Sequence, residues 1–268
     1  MTMAPLSDLP RKKSAEPDRK FIEALARGLD VLRAFQPGDG FLGNLEIAQR
    51  TGLPRSSISR LTYTLTKLGY LTYSDRLEKY QLGSGVLALG YAFVSNLAIR
   101  QVAKPLMQDL ANSTGTAVGL SDRDRLDMIF VEFCAAANVT TFRYEIGNRV
   151  SLATSGSGRA FLAALPQEER EYFYGHLEKR YSERWSKIKA GVEEAVASYK
   201  QRGFCCSFGD WNRDVNGIAV PLQLSQGRIY TFNAGGPAYR LSPEFLEEEV
   251  APLLKNMVGN IEAMLIRY

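Results

Sequence analysis

The residues best suited to chemistry in this 268-residue chain are hydrogen-bond donors rather than nucleophiles or metal ligands. In TGLPRSSISRLTYTLTKLGY, Thr51 to Tyr70, the helical period sets Arg55, Ser56, Ser57, Ser59, Arg60, Thr62 and Tyr63 on an outer face, with no carboxylate between Arg50 and Lys67. A merely solvated helix mixes in Glu. Arg carries a forked donor that fits guanine, and Ser and Thr hydroxyls adapt to a base edge or a phosphate. The chemistry is therefore nucleic-acid recognition by the N-terminal half of a helix in the major groove. A second stretch, TSGSGRAFLAAL, puts Gly156 and Gly158 at a helix start, where backbone amides could approach a small anion. The same glycines would equally serve close packing, and spacing alone does not choose. The stretch is not a Walker loop, because no Lys-Ser/Thr pair follows, and not a nucleophile elbow, because no glycine stands two residues before Ser157.

Catalysis finds little support. The one histidine, His176, lies in REYFYGHLEKR on a solvated helix end, which removes most metal sites and most His-based nucleophile arrangements. Cys134, Cys205 and Cys206 have no metal-ligand spacing and cannot form a disulfide framework. Cys205 or Cys206 could act alone beside an Arg or a helix dipole, but cysteines in an apparent strand are usually buried and inert. We expect no enzyme, no metal and no cofactor.

Charge is distributed unevenly. Residues 1 to 85 hold 13 Lys/Arg against 9 Asp/Glu, while the rest of the chain is balanced at 20 and 20, so the whole excess of +4 sits in the first third. That asymmetry hints at a polyanion partner for this part only. MTMAPLSDLPRKKSAEPDRK places Pro and charges where a signal peptide needs an apolar core, and residues 1–19 read as a disordered basic arm. Tyr80 to Ile99 lacks charge, but its polar residues and three glycines make it a poor membrane span and a better buried helix. No membrane partner is expected, and a reducing cytoplasm fits the cysteine usage.

The elements that must position these groups are legible by period. FIEALARGLDVLRAF spaces Ile22, Leu25, Leu29, Leu32 and Phe35 as one apolar helical stripe. NLEIAQRTG is a short helix with Asn44 as cap and Gly52 just past its end. Pro54 opens a third helix with Ile58, Leu61, Leu65 and Leu68 inside. GYLTYSDRLEKYQLG then reads as a hairpin whose tip carries Arg76 and Lys79 beside Asp75 and Glu78. Three helices and a hairpin make an all-α winged helix-turn-helix with a β-hairpin wing, over residues 20–84. A linker helix at 85–98 has more apolar surface than its own domain requires, which suits a dimer contact, and Pro105 forces a break or a new helix near residue 99. Across 99–268, strands in TAVGLS, LDMIFVEFCA, TTFRYEIG, GIAVPL and RIYTFNAGG alternate with helices at 156–165, 166–177, 187–202 and 243–267, the last capped by Ser242. This is an α+β domain on a mostly antiparallel sheet.

In order and spacing, ALARGLDVLRAF, EIAQRTGLPRSSISRLTYTLTKLGYL, YQLGSGVLALG, SLATSGSGRAFLAALP, RGFCCSFGDWNRDVNGIAVPL and FNAGGPAYRLS resemble the IclR family of bacterial transcriptional regulators over residues 21–268. The resemblance implies a C-terminal GAF/PAS-like effector-binding and oligomerisation domain, assembly as a dimer or tetramer, and double-stranded operator DNA as partner. It also implies an effector cavity lined by Ser155, Gly156, Asp210, Val215, Gly217, Thr231, Asn233 and Gly235, with Phe142 and Tyr144 on an adjoining strand. The chain departs from the family pattern at Ser207, Asp214, Asn233 and Gly235. Fewer hydroxyls and more aromatic or amide lining shift the expected effector from a glyoxylate-like acid toward an aromatic or larger carboxylate. The alternatives are a DNA-binding protein whose C-terminal domain only oligomerises, and an enzyme.

Overall fold

A computed structural model describes residues 20–136, 144–225 and 227–266. The chain forms two compact units, Met1–Asn96 and Leu97–Tyr268. The expected basic arm lies outside the described residues.

The first unit contains α1 (Glu23–Arg33), α2 (Asn44–Thr51), α3 (Arg55–Lys67), β1 (Leu71–Ser74), β2 (Lys79–Leu82) and α4 (Ser84–Ser95). Val31, Ala34, Leu42, Ile47, Ile58, Leu65 and Leu71 form its core. Gly52 ends α2 in the left-handed region at φ 71°, its N–H donating to the Ala48 carbonyl at 2.9 Å. Three expectations are corrected. Gly43, not Asn44, caps α2, and its N–H donates to Glu46 Oε2 at 2.7 Å. Asn44 instead reaches across to Ser59 Oγ on α3. In α1 only the C-terminal half is covered, by way of Val31 and Ala34, so Ile22, Leu25 and Leu29 face outward at 65%, 61% and 48% exposure. Leu68 is also exposed, because α3 ends at Lys67 and the chain turns away at Gly69, φ 78°.

The second unit begins with α5 (Ala98–Thr114), a new helix near residue 99 as expected, though it runs uninterrupted through Pro105 and the break itself falls at Asn96–Leu97. Then follow β3 (Ala117–Asp124), β4 (Asp127–Ala135), β5 (Arg149–Ser151), α6 (Gly156–Ala164), α7 (Gln167–Tyr181), α8 (Trp185–Arg202), β6 (Cys205–Phe208), β7 (Val215–Gln223), β8 (Ile229–Pro237), α9 (Pro243–Phe245), a π-helical turn at Leu246–Val250 and α10 (Ala251–Leu265). Ser242 caps α9 as expected, accepting from the Phe245 N–H. The six strands make one antiparallel sheet in the order β5-β4-β3-β8-β7-β6. One face packs on α5 and α10 through residues such as Val118, Leu120, Phe232 and Leu254; the other packs on α6, α7 and α8 through Phe130, Leu162 and Leu177. The strand expected in TTFRYEIG falls partly outside the described residues. Its described part, from Tyr144, is not strand, and the edge strand is β5.

A bulge organises β4. Leu120 pairs with Glu132 and Ser121 with Phe130, leaving Val131 as the extra residue. The alternation slips by one there. Phe130 and Phe133 consequently share a face, while Glu132 turns to the other and meets Arg100 of α5 at 2.7 Å.

Candidate recognition surface and cavity

On α3 the outer face is built as its composition requires. Arg55, Ser56, Ser59 and Arg60 are exposed and Ser57 is half-buried. The side chains of Arg55, Ser56 and Arg60 make no hydrogen bond or ion pair among the described residues, so their donors remain available. Ser59 Oγ folds back on the Arg55 carbonyl at 3.2 Å. Thr62 is a correction. It is fully buried, its hydroxyl donating to the Ile58 carbonyl at 2.9 Å, because the α2–α3 crossing leaves no room for water at that position. At the hairpin Arg76 is exposed, whereas Lys79 is tied to Glu46 of α2 at 3.0 Å. Lys79 therefore steadies the wing against α2 and leaves Arg76 as the tip's available cation.

The second site is a cavity in the Leu97–Tyr268 unit, between the sheet and the start of α6, with about 500 Å³ of atom-free space including its mouth. Its lining includes Tyr144, Ser155, Gly156, Val215, Gly217, Asn233 and Gly235, seven of the ten residues the resemblance implied. Phe142 lies outside the described residues. Asp210 does not line it: the carboxylate turns to Arg159, 2.8 Å away, whose nearly buried guanidinium requires a counter-charge. Thr231 does not line it either, being fully buried with its hydroxyl 2.8 Å from Ser121 Oγ.

The lining also holds Phe130, Phe133, Ser157, Ser207, Trp211 and Asn216, which neither the residue pattern nor the resemblance singled out as lining. Phe130, Phe133 and Tyr144 form a triad with ring centroids 5.3 to 5.8 Å apart, and Trp211 joins Tyr144 at 5.7 Å. Burial pushes the Tyr144 phenol above its ordinary pKa, so it stays neutral. Among the described residues that line the cavity there is no Lys, Arg, His, Asp or Glu. Opposite this apolar wall, Ser155 caps α6: its hydroxyl donates to the Ser151 carbonyl at 2.6 Å and accepts from the Gly158 N–H. The first-turn N–H groups of Gly156 and Ser157 have no carbonyl within the helix to bond, and both residues line the cavity.

The two glycines of TSGSG differ in role. A Cβ on Gly158 would fall 2.2 Å from the Leu152 carbonyl oxygen, so that glycine exists for packing. At Gly156 the nearest atom would be 3.6 Å away, an ordinary contact, so its lack of a side chain matters to the cavity rather than to the fold. Cys205 and Cys206 point to opposite faces of the sheet, and desolvation pushes both thiols up to about 12, which leaves them protonated and unreactive at neutral pH.

A winged helix-turn-helix unit followed by an α+β unit with a neutral, aromatic-walled cavity defines a ligand-responsive DNA-binding transcriptional regulator. The sequence profile described as Bacterial transcriptional regulator IclR C-terminal matches residues 91–263, and that described as IclR helix-turn-helix domain matches residues 24–75. The chain belongs to the IclR family. It is 31% identical over 245 residues to the HTH-type transcriptional regulator TsaQ1/TsaQ2 of Comamonas testosteroni, covering 90% of this chain and 88% of that protein. An IclR family transcriptional regulator from Brucella abortus superposes with a TM-score of 0.88 at 45% identity, covering 96% and 98% of the two chains. An IclR homologue from Microbacterium hydrocarbonoxydans, crystallised with 4-hydroxybenzoate, shares the fold with a TM-score of 0.70 at 22% identity, covering 91% and 100%. The first two are transcriptional regulators by description. Among the described residues no single helix is long and apolar enough to cross a membrane.

Proposed function

We propose that this protein binds operator DNA in the cytoplasm through Arg55, Ser56, Ser57, Ser59, Arg60 and the wing's Arg76, and that an aromatic carboxylic acid held in the cavity sets its affinity. The observation that carries the second part is the cavity's polarity. A carboxylate loses its hydration on entering and needs compensation. With no cation among the described lining residues, compensation comes from the Gly156 and Ser157 N–H groups and the positive end of the α6 dipole. The ring then lies against Phe130, Phe133 and Tyr144. That a protein of the same fold crystallises with 4-hydroxybenzoate makes hydroxybenzoates the first acids to try.

Operator recognition by two protomers suits the exposed apolar surface of the first unit. Helix α4 buries none of its residues in the protomer, and Leu87, Leu89 and Tyr91 stand at 73%, 58% and 69% exposure. Together with Ile22, Leu25 and Leu29 of α1, this is surface that a second copy covers in a dimer or a tetramer. Two recognition helices then meet successive major-groove faces of a pseudo-palindromic site.

Calorimetry and thermal shift on the full-length protein test the cavity. Hydroxybenzoate at 100 times its Kd adds about 2.7 kcal/mol of stability, and the matching hydroxybenzamide, which lacks the negative charge, binds at least roughly tenfold more weakly. If no acid shifts the melting transition, the sensor reading fails and the C-terminal unit is left with oligomerisation alone. If acid and amide bind alike, the carboxylate does not sit at α6.

A further inference from the structure

We infer that Asn233 selects for a hydrogen-bond-donating substituent, a hydroxyl or an amino group, on the bound aromatic acid. The inference rests on the reading of the cavity given above and specifies what the ring must carry. On the cavity face of the sheet Asn233 has four neighbours. Across the strands it pairs with Gly119 of β3 and Ala219 of β7, and along β8 it stands between Thr231 and Gly235. Gly119, Ala219 and Gly235 have no polar side chain, and the Thr231 hydroxyl is already bonded to Ser121. None of these four offers the Asn233 amide a side-chain partner.

The amide shows the result. Its Oδ1 is fully shielded and has no hydrogen-bond partner among the described residues, and the residue lines the cavity. A buried carbonyl oxygen without a donor is unfavourable, and such atoms are few in native proteins. Gly119 leaves the amide its room: a Cβ there would sit 2.6 Å from the same oxygen. A ligand that fills the cavity and bears a donor makes the bond this oxygen lacks, and one without a donor leaves it unmade. A site that holds a polar group for its ligand rejects the analogue lacking the matching group more strongly than an apolar wall discriminates shape.

Isothermal titration of the full-length protein with benzoate, the three hydroxybenzoates, 4-aminobenzoate and 4-methoxybenzoate tests this. The best hydroxybenzoate, or its amino counterpart, binds at least roughly tenfold tighter than benzoate, and 4-methoxybenzoate, which can only accept, stays with benzoate. In Asn233→Leu, of similar volume, that preference falls to within about twofold. The wild-type series is decisive by itself should the variant fold poorly. If benzoate binds as tightly as every substituted acid, the role of Asn233 is overturned and the aromatic-acid reading stands. If 4-methoxybenzoate joins the tight binders, the amide presents its nitrogen and the donor assignment is overturned. If none of the six acids binds, the aromatic-acid reading itself fails and the inference falls with it.

Discussion

Substituting Gly119 by alanine probes the cavity through its most crowded point. Gly119 sits mid-strand in β3, paired on one side with Phe133 of β4 and on the other with Asn233 of β8, so its backbone cannot retreat. A Cβ there would lie 2.4 and 2.8 Å from Phe130 Cε1 and Cδ1 and 2.6 Å from Asn233 Oδ1. Ordinary contact begins near 3.4 Å, so the Phe130 ring has to move by about 1 Å, and Phe133 and Tyr144 bear on it. Overpacking of this kind costs roughly 1–3 kcal/mol, and for a unit of this size each kcal/mol lowers the melting temperature by about 2–4 °C. The same displacement narrows the cavity, so affinity for a hydroxybenzoate drops together with stability. Gly156→Ala is the control, since its Cβ would meet Ala219 at 3.6 Å: its melting temperature stays within about 1–2 °C while ligand affinity falls. Scanning calorimetry and titration calorimetry on both variants give the comparison. A Gly119→Ala protein as stable as wild type, binding the acid unchanged, would refute the packing of Phe130 and Asn233 over this strand.

The other expectations concern the first unit. Arg55→Ala and Arg60→Ala each weaken operator binding by about 1–3 kcal/mol where the guanidinium reaches a base, or flatten the salt dependence by about one unit where it reaches phosphate, as measured by fluorescence anisotropy across a salt series. Operator binding by both variants indistinguishable from wild type removes α3 as the recognition helix. Leu87→Glu combined with Tyr91→Glu places carboxylates on the exposed face of α4 and shifts sedimentation toward monomer without lowering the protomer's helix content; an unchanged sedimentation coefficient means another surface joins the copies. Acid loosens the helix-turn-helix in a defined direction. The Arg50 guanidinium holds the Asp39 carboxyl below its ordinary pKa of 3.8, and the Gly43 N–H, then Lys79, hold Glu46 below 4.5. Folding favours the ionised forms, so their stabilisation is complete above those ordinary values and is lost as pH falls through the depressed folded ones. Thermal melts by circular dichroism between pH 7 and pH 3 should show the first unit weakening, and Asp39→Asn should blunt that dependence.

How far the sequence could be read depended on whether a signal was local. The caps at Gly52 and Ser242, the hairpin at Leu71–Leu82 and the donors of α3 are set by neighbours within a few residues, and all appear where the period and the turn residues place them. Thr62 failed that test because helical period describes one helix at a time. Only the crossing of α2 over α3, with Asn44 beside Thr62, turns an outer-face residue into a buried one. The stripe of Ile22, Leu25 and Leu29 failed in the opposite sense: period marked it correctly as apolar but could not say that the described residues of the protomer leave it exposed.

The cavity was legible only in part, and the reason is the bulge in β4. Strict alternation puts Phe130 and Phe133 on opposite faces of a strand, so no reading of DMIFVEFCA by period two can bring both rings to one wall. The extra residue at Val131 is set by pairing with β3, between Leu120 and Ser121, and leaves no mark in β4 itself. The same limit hid the isolation of Asn233. Its lack of a partner follows from Gly119 and Ala219, more than a hundred positions and some fourteen positions away, meeting it across two different ladders. Resemblance could place Asn233 at the cavity, because a family pattern carries position. The need of its carbonyl for a donor is a property of this chain's own cross-strand neighbours. That is why the chemistry of the ligand, rather than the location of its site, is what the three-dimensional structure adds.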